Sequence, residues 1–438
     1  MGRYFGTDGI RGEVGKVLHA ELAFKLGYHL KESLKKSRVV IGYDTRESSE
    51  TFAYSVASGV MASGADVLFA GVVSTPMIAY YAKHHKITGV MVTASHNPFT
   101  DNGLKVFDEG LKLSVDKEML LEDLIDQDIV FQNNKFGNLL QSSAVKEHYK
   151  SLYVDLDLEK INLSVGFDSA NGANYKIAHE ILSSICDECS QIHAAPNGKN
   201  INLNCGSMHL EAIKELVREK QFDIGLSFDG DGDRVLVVDH NATLYDGDLI
   251  VYAIAKYLKS SNQLKKNTVV LTQMSNPGIL KAFKDLGIKT VLTQVGDKYV
   301  TEEILKHGYS LGGENSGHII LNDHIHTGDG LFVGVYLLAI LQKLKVTLKN
   351  YLSEIKMYPQ KMVNIKNVDK NVLETKTYKD LAKQAQKRLG SDALFLVRAS
   401  GTEPVIRVTI SHQDESVMTE VIDLLVNGIE TIAKEELS

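Results

Sequence analysis

The chain has 438 residues, 44% of them apolar, and a formal net charge of −7, with a pI near 6.1. At roughly 150 residues per domain this length accommodates about three or four folded units, and the acidic balance excludes a basic field for nucleic acid. No basic-then-apolar leader is read at the N-terminus, so a cytoplasmic protein with no membrane partner is expected. The longest apolar run, Leu331–Leu341, falls short of the roughly 20 residues a membrane helix needs and reads as a buried helix.

Taken in order, apolar runs end abruptly in polar, glycine-containing loops, and amphipathic stretches come after them. The first third carries Val39–Asp44, Asp66–Gly71 and Gly89–Val92, the last leading into Thr93-Ala94-Ser95-His96-Asn97-Pro98. The middle third has Leu163–Ser169, whose Gly166-Phe167-Asp168-Ser169 echoes Gly42-Tyr43-Asp44-Thr45, and Ile224–Phe228, leading into Asp229-Gly230-Asp231-Gly232-Asp233-Arg234. The next third has Thr268–Leu271, Thr290–Thr293 and Tyr309–Leu311, leading into Gly312-Gly313-Glu314-Asn315-Ser316-Gly317-His318. Helical stretches Ser49–Ala62 and Leu210–Lys220 between the runs indicate βαβ units. The fold class is α/β: three similar mixed or parallel-sheet domains, 1–150, 151–246 and 247–357. A smaller α+β domain, 358–438, begins at a boundary near Pro359, with strands at Val363–Ile365 and Leu394–Val397 and a helix at Glu415–Glu436. Ligands gather at the carboxyl ends of strands in such sheets, so the loops predict one shared site around a central cleft.

Asp229, Asp231 and Asp233 alternate with glycines at a strand end. Brought within roughly 4–5 Å, each pair of carboxylates repels by about 3–4 kcal/mol at an effective dielectric near 20, which a bound cation relieves. Hard oxygen donors favour Mg²⁺ or Ca²⁺, and phosphate chemistry favours Mg²⁺; the bland alternative is a solvated acidic turn. An EF-hand is excluded, because Arg234 and His240 stand where that loop needs Gly and Glu. Ser95 alone reads as readily as a turn or helix cap, but a phosphoserine there would add a fourth oxygen to the aspartate set. No Walker or Rossmann loop is present. Instead Arg398-Ala399-Ser400-Gly401-Thr402-Glu403-Pro404 offers a guanidinium, hydroxyls and glycine-freed N–H groups for a phosphate, or else forms an ordinary turn. Glu314 and Ser316 suit sugar hydroxyls, His318 or Lys105 suits proton transfer, and Arg11 in Gly9-Ile10-Arg11-Gly12 suits charge on a moving phosphoryl group; each also has a structural reading. Cys186 and Cys189 form a C-x-x-C which, with His193 and Cys205, could supply zinc ligands; packing is the better account, with Asp187 and Glu188 raising the thiol pKa values.

Together these loops resemble the α-D-phosphohexomutase superfamily along nearly the whole chain. The resemblance makes Thr-Ala-Ser-His-Asn-Pro the phosphoserine loop (modified Ser95), Asp-Gly-Asp-Gly-Asp-Arg the Mg²⁺ loop, Gly-Glu-Asn-Ser-Gly-His the sugar loop and Arg-Ala-Ser-Gly-Thr-Glu-Pro the phosphate loop. Arg3–Gly12, Val295–Val300 and Ser400–Val408 are similar to its bacterial phosphoglucosamine mutase branch. The implied activity interconverts glucosamine 6- and 1-phosphates, an isomerase reaction toward UDP-N-acetylglucosamine. It uses one Mg²⁺ per chain, held by Ser95, Asp229, Asp231 and Asp233, with glucosamine 1,6-bisphosphate or glucose 1,6-bisphosphate as intermediate or activator. Implied substrate contacts are Arg234, Glu314, Ser316, Arg398, Ser400, Gly401, Thr402 and Arg407; the implied assembly is a homodimer with a mobile last domain. Asn315 departs from the usual Gln or Met. Competing readings are a phosphoglucomutase or phosphomannomutase and a non-catalytic sugar-phosphate binding protein.

Overall fold

The computed structural model describes residues 2–131, 135–154, 156, 160–399 and 405–436. They fall into two compact units, Met1–Lys266 with Gly296–Tyr351, and Asn267–Val295 with Leu352–Ser438.

In the first unit, strand Arg38–Tyr43 is flanked in parallel by Asp66–Val72 and Thr88–Val92. Leu139–Gln141 extends the parallel side, while Asp101–Asp108 and Gly9–Glu13 continue the other side antiparallel. Thr88–Val92 is buried at every position, as expected of a strand covered on both faces. Helix Ala20–Leu34 buries Leu22, Leu26 and Leu30, one stripe at four-residue spacing. It packs on Ser49–Ala62 at backbone distance, because a Cβ on Gly27 would overlap the Val56 carbonyl and one on Gly59 the Phe24 carbonyl. A second sheet runs Cys186–Ile192, Ile161–Asp168 and Ile224–Phe228 in parallel, then Val235–Asp239 and Leu244–Tyr245 antiparallel. Leu311–Gly313 and Ile319–Leu321 form a hairpin. The Leu331–Leu341 run lies in helix Gly330–Leu344, capped by Asp329 and buried along most of its length. Among the described residues, no helix is long and apolar enough to cross a membrane.

In the second unit, Thr268–Thr272 pairs in parallel with Lys289–Thr293. Gln360–Lys366 and Leu394–Ala399 flank Val405–Ser411 in an antiparallel sheet, which shares a core with helices Lys376–Leu389 and Glu415–Glu436.

The chemistry-bearing loops depart from the strand-to-helix turns that a βαβ repeat predicts. The serine, metal and sugar loops lead into antiparallel strands, Asp101–Asp108, Val235–Asp239 and Ile319–Leu321, so each is a hairpin connection. Those return strands are themselves buried apolar runs, which periodicity does not distinguish from helix segments. The strand expected at Tyr309–Leu311 begins two residues later, at Leu311.

Candidate active site

The Asp229–Arg234 loop closes the hairpin in which Phe228 pairs with Val235. One carboxylate oxygen from each of Asp229, Asp231 and Asp233 lies within 4.8 Å of the others, and all three side chains are buried. Gly232 stands at φ +76, and a Cβ there would overlap the Asn174 amide, so the loop requires glycine on two counts. Ser95, 1% exposed, donates its hydroxyl to Asp229 Oδ2 at 2.6 Å. Thr75 donates to Asp231. Lys105 Nζ, also buried, sits 2.7 Å from Asp231, 2.9 Å from Asp233 and 2.9 Å from Asp8.

These charges set the proton affinities. Burial, then repulsion from Asp233 and Asp231, pushes the Asp229 carboxyl well above the usual carboxylate range. Burial pushes Asp233 the same way, but Lys105 and His318 outweigh it and hold that group well below the range. Asp231 is also lowered: burial and Asp233 act against this, and the Lys105 ammonium with hydrogen bonds from Lys105 and Thr75 prevails. Lys105 is raised well above its ordinary value, the three carboxylates overcoming burial. His96, 3.4 Å from the Ser95 hydroxyl, is pushed down to about 3 by burial and by Arg234 and Arg11.

The sugar loop adjoins the metal loop through the backbone: Arg234 and His318 form a β-bridge, and Val235 N–H donates to Gly317 O at 3.1 Å. His318 places Nδ1 3.7 Å from Asp233 and Nε2 3.3 Å from Asp297; burial lowers its pKa, but Asp297 and Asp233 prevail and raise it. Glu314 accepts from Gly296 N at 3.0 Å and is raised by burial. Arg11 pairs with Asp8, and Arg234 Nε lies 3.9 Å from Asp233. The structure therefore brings Ser95, Arg11, Lys105, the aspartate triplet, Arg234, Glu314 and His318 into one polar region of the first unit, with Ser316 between Glu314 and His318 on the same loop. Sequence reasoning assigned nothing to Asp8, Lys112 or Asp297, yet Lys112 bridges Asp8 and Asp297. The sequence signals for Asp8 and Asp297 are their place beside glycines and in the segments Arg3–Gly12 and Val295–Val300 that carry the resemblance.

In the second unit, Arg398 and Arg407 stand directly opposite across the Leu394–Ala399 and Val405–Ser411 pairing. Like charges directly opposite are destabilising; burial, then Arg407, lowers Arg398. Ser400, Gly401 and Thr402 lie outside the described residues.

The donor set fits a hard divalent cation: three carboxylates converge, and Asp231 Oδ1 and Asp233 Oδ1 are buried without hydrogen-bond partners. Among the described residues the other convergent group is Asp168, His193 and Cys205. The four-ligand zinc set imagined from the C-x-x-C is thus not assembled: Cys186 and Cys189 lie on strand Cys186–Ile192, and all three cysteines are free thiols. Cys186 is raised to about 12, chiefly by burial and only secondarily by Cys189 and Asp187.

Family models match the chain in sequence: phosphoglucomutase/phosphomannomutase alpha/beta/alpha domain I over residues 2–129, domain II over 144–243, domain III over 246–358 and the C-terminal domain over 361–427. The chain belongs to the phosphoglucomutase/phosphomannomutase family. A relative from Bacillus cytotoxicus named phosphoglucosamine mutase is 40% identical over 443 residues, covering 98% of each chain. One of the same name from Bacillus cereus is 41% identical, covering 100% of this chain and 99% of that protein. Among solved structures, a phosphoglucomutase/phosphomannomutase family protein from Burkholderia thailandensis matches with TM-score 0.83 at 23% identity, covering 97% of both chains. An Aspergillus fumigatus N-acetylphosphoglucosamine mutase, in complex with GlcNAc-6P and magnesium, matches at 0.69 and 17%, covering 98% and 96%. At such identities these structures speak for the family's fold.

Proposed function

We propose that the chain acts as a phosphoglucosamine mutase, interconverting glucosamine 6-phosphate and glucosamine 1-phosphate toward UDP-N-acetylglucosamine and cell-wall precursors. The observation that carries the chemistry is the buried Ser95 hydroxyl 2.6 Å from Asp229 inside a convergent aspartate triplet. The amino sugar is supported by the names of the full-length relatives.

In this scheme Ser95 carries the phosphoryl group as phosphoserine. The free hydroxyl of the sugar phosphate attacks phosphorus, its O–P bond forming as the Ser95 Oγ–P bond breaks, and the hydroxyl proton passes to His318, since Lys105, expected from sequence as the alternative, is held as an ammonium by three carboxylates. Glucosamine 1,6-bisphosphate turns over and returns its other phosphoryl group to Ser95; glucose 1,6-bisphosphate can prime the serine. Ser95, Asp229, Asp231 and Asp233 would hold one Mg²⁺ per chain, which when bound offsets charge on the transferring group. Arg11 and Lys105 supply fixed positive charge beside Ser95. Glu314, Ser316 and Arg234 orient the sugar, and Arg398, Ser400, Gly401, Thr402 and Arg407 hold the spectator phosphate. The serine, metal, sugar and phosphate loops belong to segments 1–150, 151–246, 247–357 and 358–438. The assignment extends to a cytoplasmic homodimer without nucleic-acid or membrane partners.

Phosphosite mapping should find phosphate at Ser95, and Ser95→Ala should abolish turnover; full turnover in that variant would overturn the scheme. Turnover on glucosamine, glucose and mannose 6-phosphates separates this reading from a phosphoglucomutase or phosphomannomutase.

A further inference from the structure

Ser95 adopts a left-handed backbone, φ +52. For a residue with a Cβ this conformation is strained and persists only where the surroundings over-determine it. Both sides of the residue are held. Its N–H donates to Thr93 Oγ1 at 2.9 Å, and that hydroxyl donates to Asp44 at 2.6 Å. Its carbonyl accepts from two side chains at once, Arg46 Nη2 and Asn202 Nδ2, each at 2.8 Å. The same two nitrogens reach the Asn97 carbonyl, at 2.9 and 3.1 Å.

All three guanidinium nitrogens of Arg46 are used in this way. Nε donates to Asp44 at 2.9 Å, Nη1 to the Pro98 carbonyl and to that of Asp101 at 3.1 Å, and Nη2 to Ser95 and Asn97. The guanidinium and the Asp44 carboxylate are fully buried. Only the planar fork of arginine satisfies four loop carbonyls and a carboxylate together. Asn202 arrives from the sequence segment that also supplies the metal loop, and its backbone N–H is tied to the Ala170 carbonyl at 3.0 Å. A Cβ on Gly230 would stand 2.6 Å from the Ser95 carbonyl and 2.8 Å from the Asn202 amide, so the serine loop, Asn202 and the metal loop meet at one point.

We propose that Arg46 and Asn202 are positioning residues: by clamping the Ser95 and Asn97 carbonyls they hold Ser95 left-handed and aim its hydroxyl at Asp229. This rests on Ser95 being the phosphoryl carrier. Neither residue touches the reacting atoms, so the clamp governs how often the hydroxyl occupies its in-line position, and a misplacement near 1 Å can cost ~100-fold in rate.

The test uses the full chain, glucose 1,6-bisphosphate as phosphoryl donor and intact-mass detection. The step exchanges one P–O bond for another, the serine proton ending on the sugar oxygen. Asn202→Asp, isosteric but presenting an oxygen to the two carbonyls, should load Ser95 and turn over roughly 10- to 100-fold more slowly, with KM within about twofold of wild type. Asn202→Ser and Arg46→Lys should behave alike, which keeps the test available if one variant fails to fold. The thermal shift produced by Mg²⁺ should survive in the variants. Wild-type rates in folded variants would overturn the clamp, as would loss of the Mg²⁺ shift in parallel with activity, which marks general collapse of the metal loop. A wild-type chain that never acquires phosphate overturns instead the phosphoryl-carrier reading beneath it.

Discussion

Asp229→Asn should stabilise the metal-free protein while removing most of its response to Mg²⁺. The carboxylate oxygens of the triplet lie within 4.8 Å, a distance at which two ionised carboxylates repel by about 3–4 kcal/mol at an effective dielectric near 20. Lys105 compensates Asp231 and Asp233 directly, leaving Asp229 the group that burial and its neighbours push upward. Asparagine is isosteric there: its oxygen can keep the Gly232 and Arg234 N–H bonds, now 3.1 and 3.2 Å, and its amide can turn toward Ser95. Allowing for attraction from Arg234, removing the ionised carboxylate should yield about 2 kcal/mol without metal. The sign with pH comes from linkage. A carboxyl raised in the folded state contributes stability that is fully present below its unfolded pKa and lost as pH rises through the folded one. In EDTA, wild type should therefore melt progressively lower as pH rises above about 4, the variant should decline less, and at pH 8 it should melt about 2–3 °C higher. In Mg²⁺ at 100 times its dissociation constant wild type should gain about 2.7 kcal/mol and the order should reverse. A variant that melts lower than wild type in EDTA at pH 8, or gains as much from Mg²⁺, would refute this charge accounting.

Gly232→Ala should abolish the Mg²⁺-dependent thermal shift, because a Cβ at φ +76 meets Asn174 and the loop must open; a retained shift would show the loop tolerates the methyl. Arg398→Met should leave stability unchanged or raised by about 0.2–1 kcal/mol, since it removes a like-charge cross-strand pair, while steady-state kinetics should show KM for the sugar phosphate rising at least ~10-fold with loss of a charge-assisted phosphate contact.

The α/β class and the convergence of the three aspartates could be read in the sequence, where composition is extreme. Three aspartates alternating with two glycines have few structural uses, and the helices Ser49–Ala62 and Glu415–Glu436 fall where periodicity puts them. What could not be read depended on strand direction and on distant partners. Buried apolar strands look alike whether parallel or antiparallel, so the hairpin nature of each loop was hidden. Asp8, Lys112 and Asp297 form one ionic chain from separate segments, and no local pattern pairs them. The echo between Asp44 and Asp168 was visible without its meaning. Each carboxylate binds the backbone N–H two residues on, at Arg46 and Ala170, and each also meets a basic side chain, Arg46 Nε at 2.9 Å from Asp44 and His193 Nδ1 at 3.0 Å from Asp168.

The two charge clusters argue for function more strongly than either motif does. Burying unbalanced charge is costly unless a partner arrives. In the first unit the triplet faces Lys105, Arg234 and His318, and Asp231 Oδ1 and Asp233 Oδ1 are still buried without a hydrogen-bond partner. In the second unit the exposed Arg398 faces Arg407 across paired strands, a register that disfavours like charges. A divalent cation would relieve the repulsion within the triplet, which gives three convergent carboxylates a physical reason to stand at one loop.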